Sequence, residues 1–534
     1  MSNRRILFLI AMSALITVNG EVFYVSVNGD DANDGSFSSP WRTISHAAEN
    51  VSAGDTVMVM AGTYSEQVFF TVSGSADNYI VFMPYQDDTV IVDGSSVQLN
   101  DWGALLYIYY ADYIKIQGFR VQNAGPDFNA AGILAYHANH IFIENHHTYN
   151  TTSSGIGVWY SNDVKVLNNE VELACNDGEQ ECISVDHSGN VEVAYNYVHH
   201  GGPGTRGGEG IDIKNGSHDV IVHHNRVFRT NRIGIYIDAW DTYTYNIEVF
   251  QNRVSYCSDG FAISSEMGGL LENVRIYNNI ADSNGCYGIV VTNWDDSSIS
   301  HPMQNIYIIN NTFHGNGGSD WGVGISVENP DIQNLVIRNN ISCYNSHYQY
   351  VVETEDLGVP LSEITSDHNL LYGGELGFPD EIVDSCIVGD PSFVAMDTGD
   401  LHLTANSAAV DSGSPLLAPS VDFDGVARPQ GNAWDIGAYE YAAGGIISED
   451  HTTNTDVKTP NGRVEIFHGE YVLRCKPRTV VEIYGVSGKK LVHKEINEAG
   501  LWTWRPHSDL PTGIYIAKIR SSDGAMWMKL IYLK

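Results

Sequence analysis

Residues 210–240 read GIDIKNGSHDVIVHHNRVFRTNRIGIYIDAW, and this stretch decides the fold. It opens on GIDIK, passes through VIVHHN to Asn225, and returns to GIYID at Gly234. The same two phrases recur along the chain. VKVLNN, VEVAYN, VIVHHN, IEVFQN, VRIYNN, IYIINN and LVIRNN end on Asn169, Asn196, Asn225, Asn252, Asn279, Asn311 and Asn340, at intervals of 27, 29, 27, 27, 32 and 29 residues. Between them fall GIGVW, CISVD, GIDIK, GIYID, GFAIS, GIVVT and GISVE. Two short strands with turns in a repeating period of this length describe one coil of a solenoid stacked on the next. Stacked Asn residues at a turn predict an internal ladder in which side-chain amides bond from rung to rung.

The alternation inside the second phrase assigns its faces. Ile211 and Ile213, Ile235 and Ile237, Phe261 and Ile263, Ile289 and Val291 occupy the inward positions of a strand with period two. The residues between them point outward and align in columns. One column reads Trp159, Asp186, Lys214, Asp238, Ser264, Thr292, Glu328, and the other Gly157, Ser184, Asp212, Tyr236, Ala262, Val290, Ser326. His187, Trp240, Glu266 and Trp294 follow just beyond the strand ends. Carboxylates, one lysine and aromatic rings thus gather on the central rungs, and smaller residues take over further along.

Bulk properties narrow the partners. The 534 residues carry a formal net charge of −37, which argues against nucleic acid. The charge is uneven: from Arg463 onward there are 12 Lys+Arg and 7 Asp+Glu, leaving 16 basic and 58 acidic residues in the rest. Such a surface would hold cations and repel a polyanion unless metal ions intervene. Arg4 and Arg5 followed by the apolar run Ile6 to Val18 read as a signal peptide over 1–20, with no transmembrane segment after its cleavage. Seven cysteines without a CxxC pair give no zinc signature, although Cys175 and Cys182 are close enough in sequence to close a short loop.

The chain divides further. Residues 21–441 read as the solenoid with an N-terminal cap, containing a short helix near Thr43 to Asn50 and a strand from Thr56 to Met60. VDFDGVARPQGNAWDIGAYEY, from Val421 to Tyr441, resembles a motif that closes many bacterial secreted β-helix proteins and is expected to cover the C-terminal end of the solenoid. Residues 442–462 are rich in Gly, Thr and Asn and read as a linker. Residues 463–534 form a separate small, β-sandwich-like domain, in which VVEIYGVSGKKLVHKEI and LPTGIYIAKIRSSDGAMWMKLIYLK read as hairpins.

Two family resemblances sharpen this reading. The opening from Phe23 to Tyr64, FYVSVNGDDANDGSFSSPWRTISHAAENVSAGDTVMVMAGTY, resembles the start of secreted right-handed parallel β-helix proteins, including family-nine polysaccharide lyases. Those enzymes carry a catalytic lysine in a segment Asp-Gly-apolar-small-small-Lys. Here Glu209-Gly210-Ile211-Asp212-Ile213-Lys214 places Lys214 at the same offset, with Glu in place of Asp before Gly, and without the family's tight cluster of calcium-binding aspartates intact. VEIYGVSGKKL, DLPTGIYIAKI and the basic, apolar tail resemble the C-terminal sorting domain of the type IX secretion system. That resemblance implies engagement of the secretion machinery and a secreted or cell-surface location.

Three functions compete for the charged face. In a uronate lyase on a pectate-like polysaccharide, Lys214 is the base, and Ca²⁺ on Asp186, Asp212 and Asp238 neutralises the substrate carboxylate. Flanking carboxylates raise the pKa of Lys214, the wrong direction for a base unless a cation engages them. In a glycoside hydrolase the carboxylate pair is Asp212 with Asp238 or Asp186 with Asp212, which spacing alone does not separate, with Glu266 available as the acid. In a noncatalytic carbohydrate-binding protein the Asp-Lys-Asp column is structural. All three use Trp159, Tyr236, Trp240 and Trp294 to bind sugar, and Arg206, Arg229 and Arg232 are placed to grip a uronate. His199-His200 and His223-His224 sit at turns and form a weaker metal candidate. The protein is expected to act as a monomer.

Overall fold

The computed structural model describes residues 20–203, 207–294, 298–318 and 321–442, together with strands between 464 and 532. The chain is an all-β, right-handed parallel β-helix followed by small antiparallel sheets. Three parallel sheets run the length of the solenoid. Sheet one has 13 strands, from Val22–Val25 to Ile364–Asp367. Sheet two has 12, from Val68–Phe70 to Glu375–Phe378, and sheet three has 13, from Gly62–Tyr64 to Ile387–Val388. One coil therefore contains three strands rather than two. In the coil of Asn225 these are Ile211–Lys214 in sheet two, His218–His223 in sheet one and Arg226–Phe228 in sheet three. The third strand is three residues long with a single inward residue, Val227, too short to show a period in the sequence.

The Asn ladder forms between sheets one and three and continues to Asn369. From Asn196 on, each Asn Oδ1 accepts the backbone N–H and the amide Nδ2 of the preceding rung's Asn; Asn252 Oδ1 takes Asn225 N at 2.9 Å and Nδ2 at 3.0 Å. The same Nδ2 of Asn225 also donates to Val193 O at 2.8 Å. A left-handed residue makes the corner just before each ladder position: Asn168, Tyr195, His224, Gln251, Asn278, Asn310 and Asn339 have φ between 52° and 58°. The inward residues named above are all buried in one continuous core, as expected for a stack in which each coil covers its neighbour.

The ends and flanks complete the solenoid. Helix Ile44–Asn50 forms as expected, with the Thr43 hydroxyl accepting His46 N at 3.1 Å and Ile44, Ala47 and Ala48 buried in the core. The segment Val421 to Tyr441 does not lie over the C-terminal end. It runs along the flank, because the outer corner residues offer it their amides: Gln251 Nε2 donates to Asp422 O, Asn278 Nδ2 to Val421 O, and Asn310 Nδ2 to Asp435 O and Gly437 O. Arg428, fully buried in this segment, pairs with Glu440 at 2.8 Å and reaches Asn278 Oδ1 at 3.3 Å.

In the C-terminal region Thr479–Gly485 pairs with Lys490–Ile496 and Gly513–Ser521 with Gly524–Tyr532, both antiparallel, matching the two expected hairpins. The expected linker, apart from Ala442, and all of the expected signal peptide except Gly20 lie outside the described residues. Among the described residues no helix is long and apolar enough to cross a membrane.

Candidate active site on sheet two

Register places both outward columns as the sequence aligns them. Trp159, Asp186, Lys214, Asp238, Ser264 and Thr292 are successive cross-strand neighbours, as are Gly157, Ser184, Asp212, Tyr236, Ala262 and Val290. The outward direction holds, but the exposure does not follow from it. Asp212, Tyr236 and Asp238 are buried, because long connections rise on both sides of these strands. Residues 173–182, 200–203 and 207–210 lead into sheet two, and 239–243, 265–270, 293–294 and 298–302 lead out of it.

The first wall supplies residues that the strand pattern alone does not reveal. Glu181 Oε1 lies 2.8 Å from Lys214 Nζ, and Gln180 Oε1 accepts from the same amine at 3.3 Å. Glu209 pairs with Arg232 Nε at 2.7 Å. Glu181 and Glu209 both stand one place before the residue that opens the second phrase, Cys182 and Gly210, where neighbouring coils have Ser154 and Ile233. Two successive glutamates in that column were the available signal. Arg206 lies outside the described residues.

The second wall holds Asp238 and Tyr236. Trp240 N and Glu266 N donate to Asp238 Oδ1 at 2.7 and 3.1 Å. Tyr236 donates its hydroxyl to Glu266 Oε2 at 2.9 Å and accepts Trp294 Nε1 at 2.8 Å. Trp240 and Trp294 remain 40% and 38% exposed and offer ring surface to a ligand. Trp159, only 5% exposed, does not: its Nε1 donates to Ser184 Oγ at 3.2 Å, and Trp102 packs edge-on against it at 5.5 Å. Asp186 hydrogen-bonds His187 Nδ1.

The electrostatics are dominated by burial of like charges. Burial pushes Asp212 well above the usual carboxylate range, and the charge of Glu181 pushes it further, against the pull of Lys214. Burial likewise raises Asp238 to about 7, opposed by the Trp240 hydrogen bond. It raises Glu209 to about 7, with Glu181 adding and Arg232 opposing. Burial acts to lower the pKa of Lys214, yet Glu181 and Asp212 outweigh it and hold the amine firmly protonated. The expected direction is therefore found, with Glu181 rather than Asp186 or Asp238 as the closest partner.

Glu181 Oε2 and Asp212 Oδ1 are buried with no hydrogen-bond partner. An orphaned carboxylate oxygen is costly, and an all-oxygen donor pair of this kind fits a hard divalent cation such as Ca²⁺. Asp186, Asp212 and Asp238 do not assemble into a three-donor group with all ligand atoms within 4.8 Å; among the described residues the group of that kind is His147, Glu170 and Glu172, on sheet three. Cys175 and Cys182 are free and buried beneath the first wall, the Cys175 thiol donating to Gln180 O at 2.7 Å.

A right-handed parallel β-helix with a walled, charged trough on one sheet is the class that fold and site define. Residues 23–176 match the family model described as Pel9A-like, right handed beta helix region, and residues 183–302 match the model for the right handed beta helix region. The chain is 34% identical over 134 residues to the uncharacterized protein YwoF of Bacillus subtilis strain 168, covering 24% of this chain and 29% of that protein. It therefore spans less than a third of that relative's length. It is 21% identical to pectate lyase L of Dickeya dadantii strain 3937 over 443 residues, 78% of this chain and 90% of the relative. The crystal structure of pectate lyase Pel9A superposes with a TM-score of 0.44 at 17% identity, covering 79% of this chain and 96% of that one.

Proposed function

We propose that the protein is a secreted uronate polysaccharide lyase, acting by β-elimination on a pectate-like glycan with Lys214 as the base. The observation that carries this reading is the enclosed Lys214 ammonium, paired with Glu181 beside two orphaned carboxylate oxygens. The alignment with pectate lyase L over most of that enzyme's length supports it.

The chain's own groups have distinct tasks in this scheme. Lys214 takes the proton α to the uronate carboxylate. It can do so only as the free amine, so the negative field of Glu181 and Asp212 must first be relieved. Ca²⁺ held by Glu181 and Asp212 would supply that positive charge and would neutralise the substrate carboxylate. Arg232, half-exposed at the trough edge, orients the uronate. Asp238, neutral up to about pH 7, has a proton to donate to the leaving oxygen. Trp240 and Trp294 stack on flanking sugar rings. The assignment extends to residues 1–20 as signal peptide, 442–462 as linker and 463–534 as type IX sorting domain of a monomeric, exported enzyme.

The raised pKa values of Asp238 and Glu209 favour a second reading, a glycoside hydrolase with Asp238 as general acid and Asp212 or Glu266 as its partner. Turnover of a polysaccharide panel with Ca²⁺ and with a chelator separates the readings. New reducing ends accompanied by the ultraviolet absorbance of an unsaturated uronide, both lost on chelation, are the lyase outcome. Reducing ends without that absorbance make the protein a hydrolase. Binding with neither signal makes it a noncatalytic carbohydrate-binding protein.

A further inference from the structure

We propose that sheet three carries a separate site for a divalent transition-metal ion, built from His147, Glu170 and Glu172, with His199 steadying Glu170 from the next strand. The strands His147–Tyr149, Glu170–Glu172 and Tyr197–His199 are consecutive in this sheet. His147 is the cross-strand neighbour of Glu170, and Glu172 that of His199. Because residues two apart on a strand share a face, Glu170 and Glu172 stand side by side with His147 and His199 on the flanking strands.

The separations suit coordination. His147 Nε2 lies 3.0 Å from Glu172 Oε2, and its Nδ1 lies 3.8 Å from Glu170 Oε2. His199 Nε2 lies 3.2 Å from Glu170 Oε1. Donor atoms of His147, Glu170 and Glu172 all fall within 4.8 Å of one another. In a tetrahedral site with Zn–N and Zn–O bonds of about 2.0–2.1 Å, neighbouring donors stand roughly 3.3 Å apart. The His147 Nε2–Glu172 Oε2 pair is near that spacing already, while Glu170 faces the other ring nitrogen and would turn toward a bound ion. The side chains are 20%, 12%, 19% and 1% exposed for His147, Glu170, Glu172 and His199, so two neighbouring carboxylates are held with restricted access to water. A cation between them offsets their mutual repulsion. One imidazole with two carboxylates suits Zn²⁺, Ni²⁺ or Co²⁺ better than Ca²⁺, which takes oxygen donors.

His199 belongs here rather than with His223, although both begin His-His pairs in the sequence. His223 ends a strand of sheet one and pairs with Glu192 at 3.2 Å. His199 is fixed further by stacking on Tyr197 at 4.1 Å between ring centres, and its Nδ1 lies 2.8 Å from His200 Nδ1.

The site lies at the root of the first wall. The chain leaving Glu170–Glu172 runs through Gln180 and Glu181 to sheet two, and the chain leaving Tyr197–His199 runs to Glu209. An ion on sheet three therefore pins the two connections that deliver both glutamates to the trough.

The test is calorimetric titration of Zn²⁺, and separately of Ca²⁺, into the chelator-treated full-length protein. The expected result is one Zn²⁺ per chain with a Kd of micromolar or tighter, no Ca²⁺ response in Glu172→Gln that differs from the parent, and a higher Tm with Zn²⁺. Glu172→Gln and His147→Ala should each weaken Zn²⁺ binding about 10-fold or more. His223→Ala should leave it unchanged. The zinc K-edge absorption spectrum should show a nitrogen and oxygen shell at about 2.0 Å with imidazole scattering. Absence of binding by the parent protein overturns the proposal. So does undiminished binding by Glu172→Gln, a variant at a partly solvated position whose fold is checked by circular dichroism. None of these readouts depends on the lyase reading.

Discussion

Two polar stacks run along this solenoid, one rung apart from coil to coil, and they solve burial in opposite ways. The Asn ladder is neutral and closed: each amide bonds to its successor and to a backbone carbonyl, as Asn225 does with Asn252 and with Val193. The sheet-two columns are charged and open: Lys214 is crowded by Glu181 and Asp212, and two carboxylate oxygens have no partner. A buried polar group that is fully satisfied supports a fold, and one that is not is a standing cost that only a ligand or a proton relieves. The difference separates scaffold from site without reference to any relative.

Substitutions test that separation. The largest expected effect is on turnover: Lys214→Ala should reduce it about 10³-fold while the circular dichroism spectrum is retained. Undiminished turnover would make the charged column a structural feature like the ladder. Asn252→Ala should act in the reverse sense. It strands donors of Asn225 in the core and should cost about 3 kcal/mol of stability by denaturant titration, with turnover per folded molecule unchanged.

Asp238→Asn sharpens the comparison through pH. Folded Asp238 keeps its proton up to about 7, whereas an unfolded Asp ionises near pH 4. Between those values the folded chain binds more protons, so stability is fully present below about pH 4 and is lost as pH rises towards 7. The variant should flatten this fall, by a few kcal/mol at most, and should raise Tm above pH 7 relative to the parent. An unchanged Tm profile would show that Asp238 carries no such burden. The smallest effect belongs to the exposed rim. Trp240→Ala should raise KM a few-fold and shift Tm little, since its ring is 40% exposed.

The regular part of the molecule was legible in the sequence because it repeats. The Asn positions, the inward Ile and Val residues and the cross-strand columns all follow from one period, and the register agrees with them at each strand pair from Trp159 to Thr292. What was not legible lies where repetition stops. Glu181 reaches Lys214 from the end of a connection of no fixed length, and the one sign of it in the sequence is the glutamate repeated one coil on, at Glu209. Trp159 faces outward by parity yet is covered by Trp102, a residue from a connection two coils away. The flank position of Val421 to Tyr441 was foreshadowed only by the doubled asparagines of VRIYNN, IYIINN and LVIRNN, whose first members, Asn278, Asn310 and Asn339, turn outward to bind that segment or the chain just before it.

The ladder has a consequence for how such a protein can change over generations. Its Asn residues are separated by 27 to 32 positions, yet the rung-to-rung bonds from backbone N–H to Oδ1 measure 2.9 Å at both the 27-residue step from Asn252 to Asn279 and the 32-residue step from Asn279 to Asn311. Insertions between rungs are thus invisible to the spine. The connections that wall the trough are free to lengthen or shorten independently, and duplicating a whole coil would add about 4.8 Å to the trough without disturbing its neighbours. Specificity for a longer or differently branched glycan is then reachable by gain and loss of segments, with the spine serving as the fixed ruler against which they are measured.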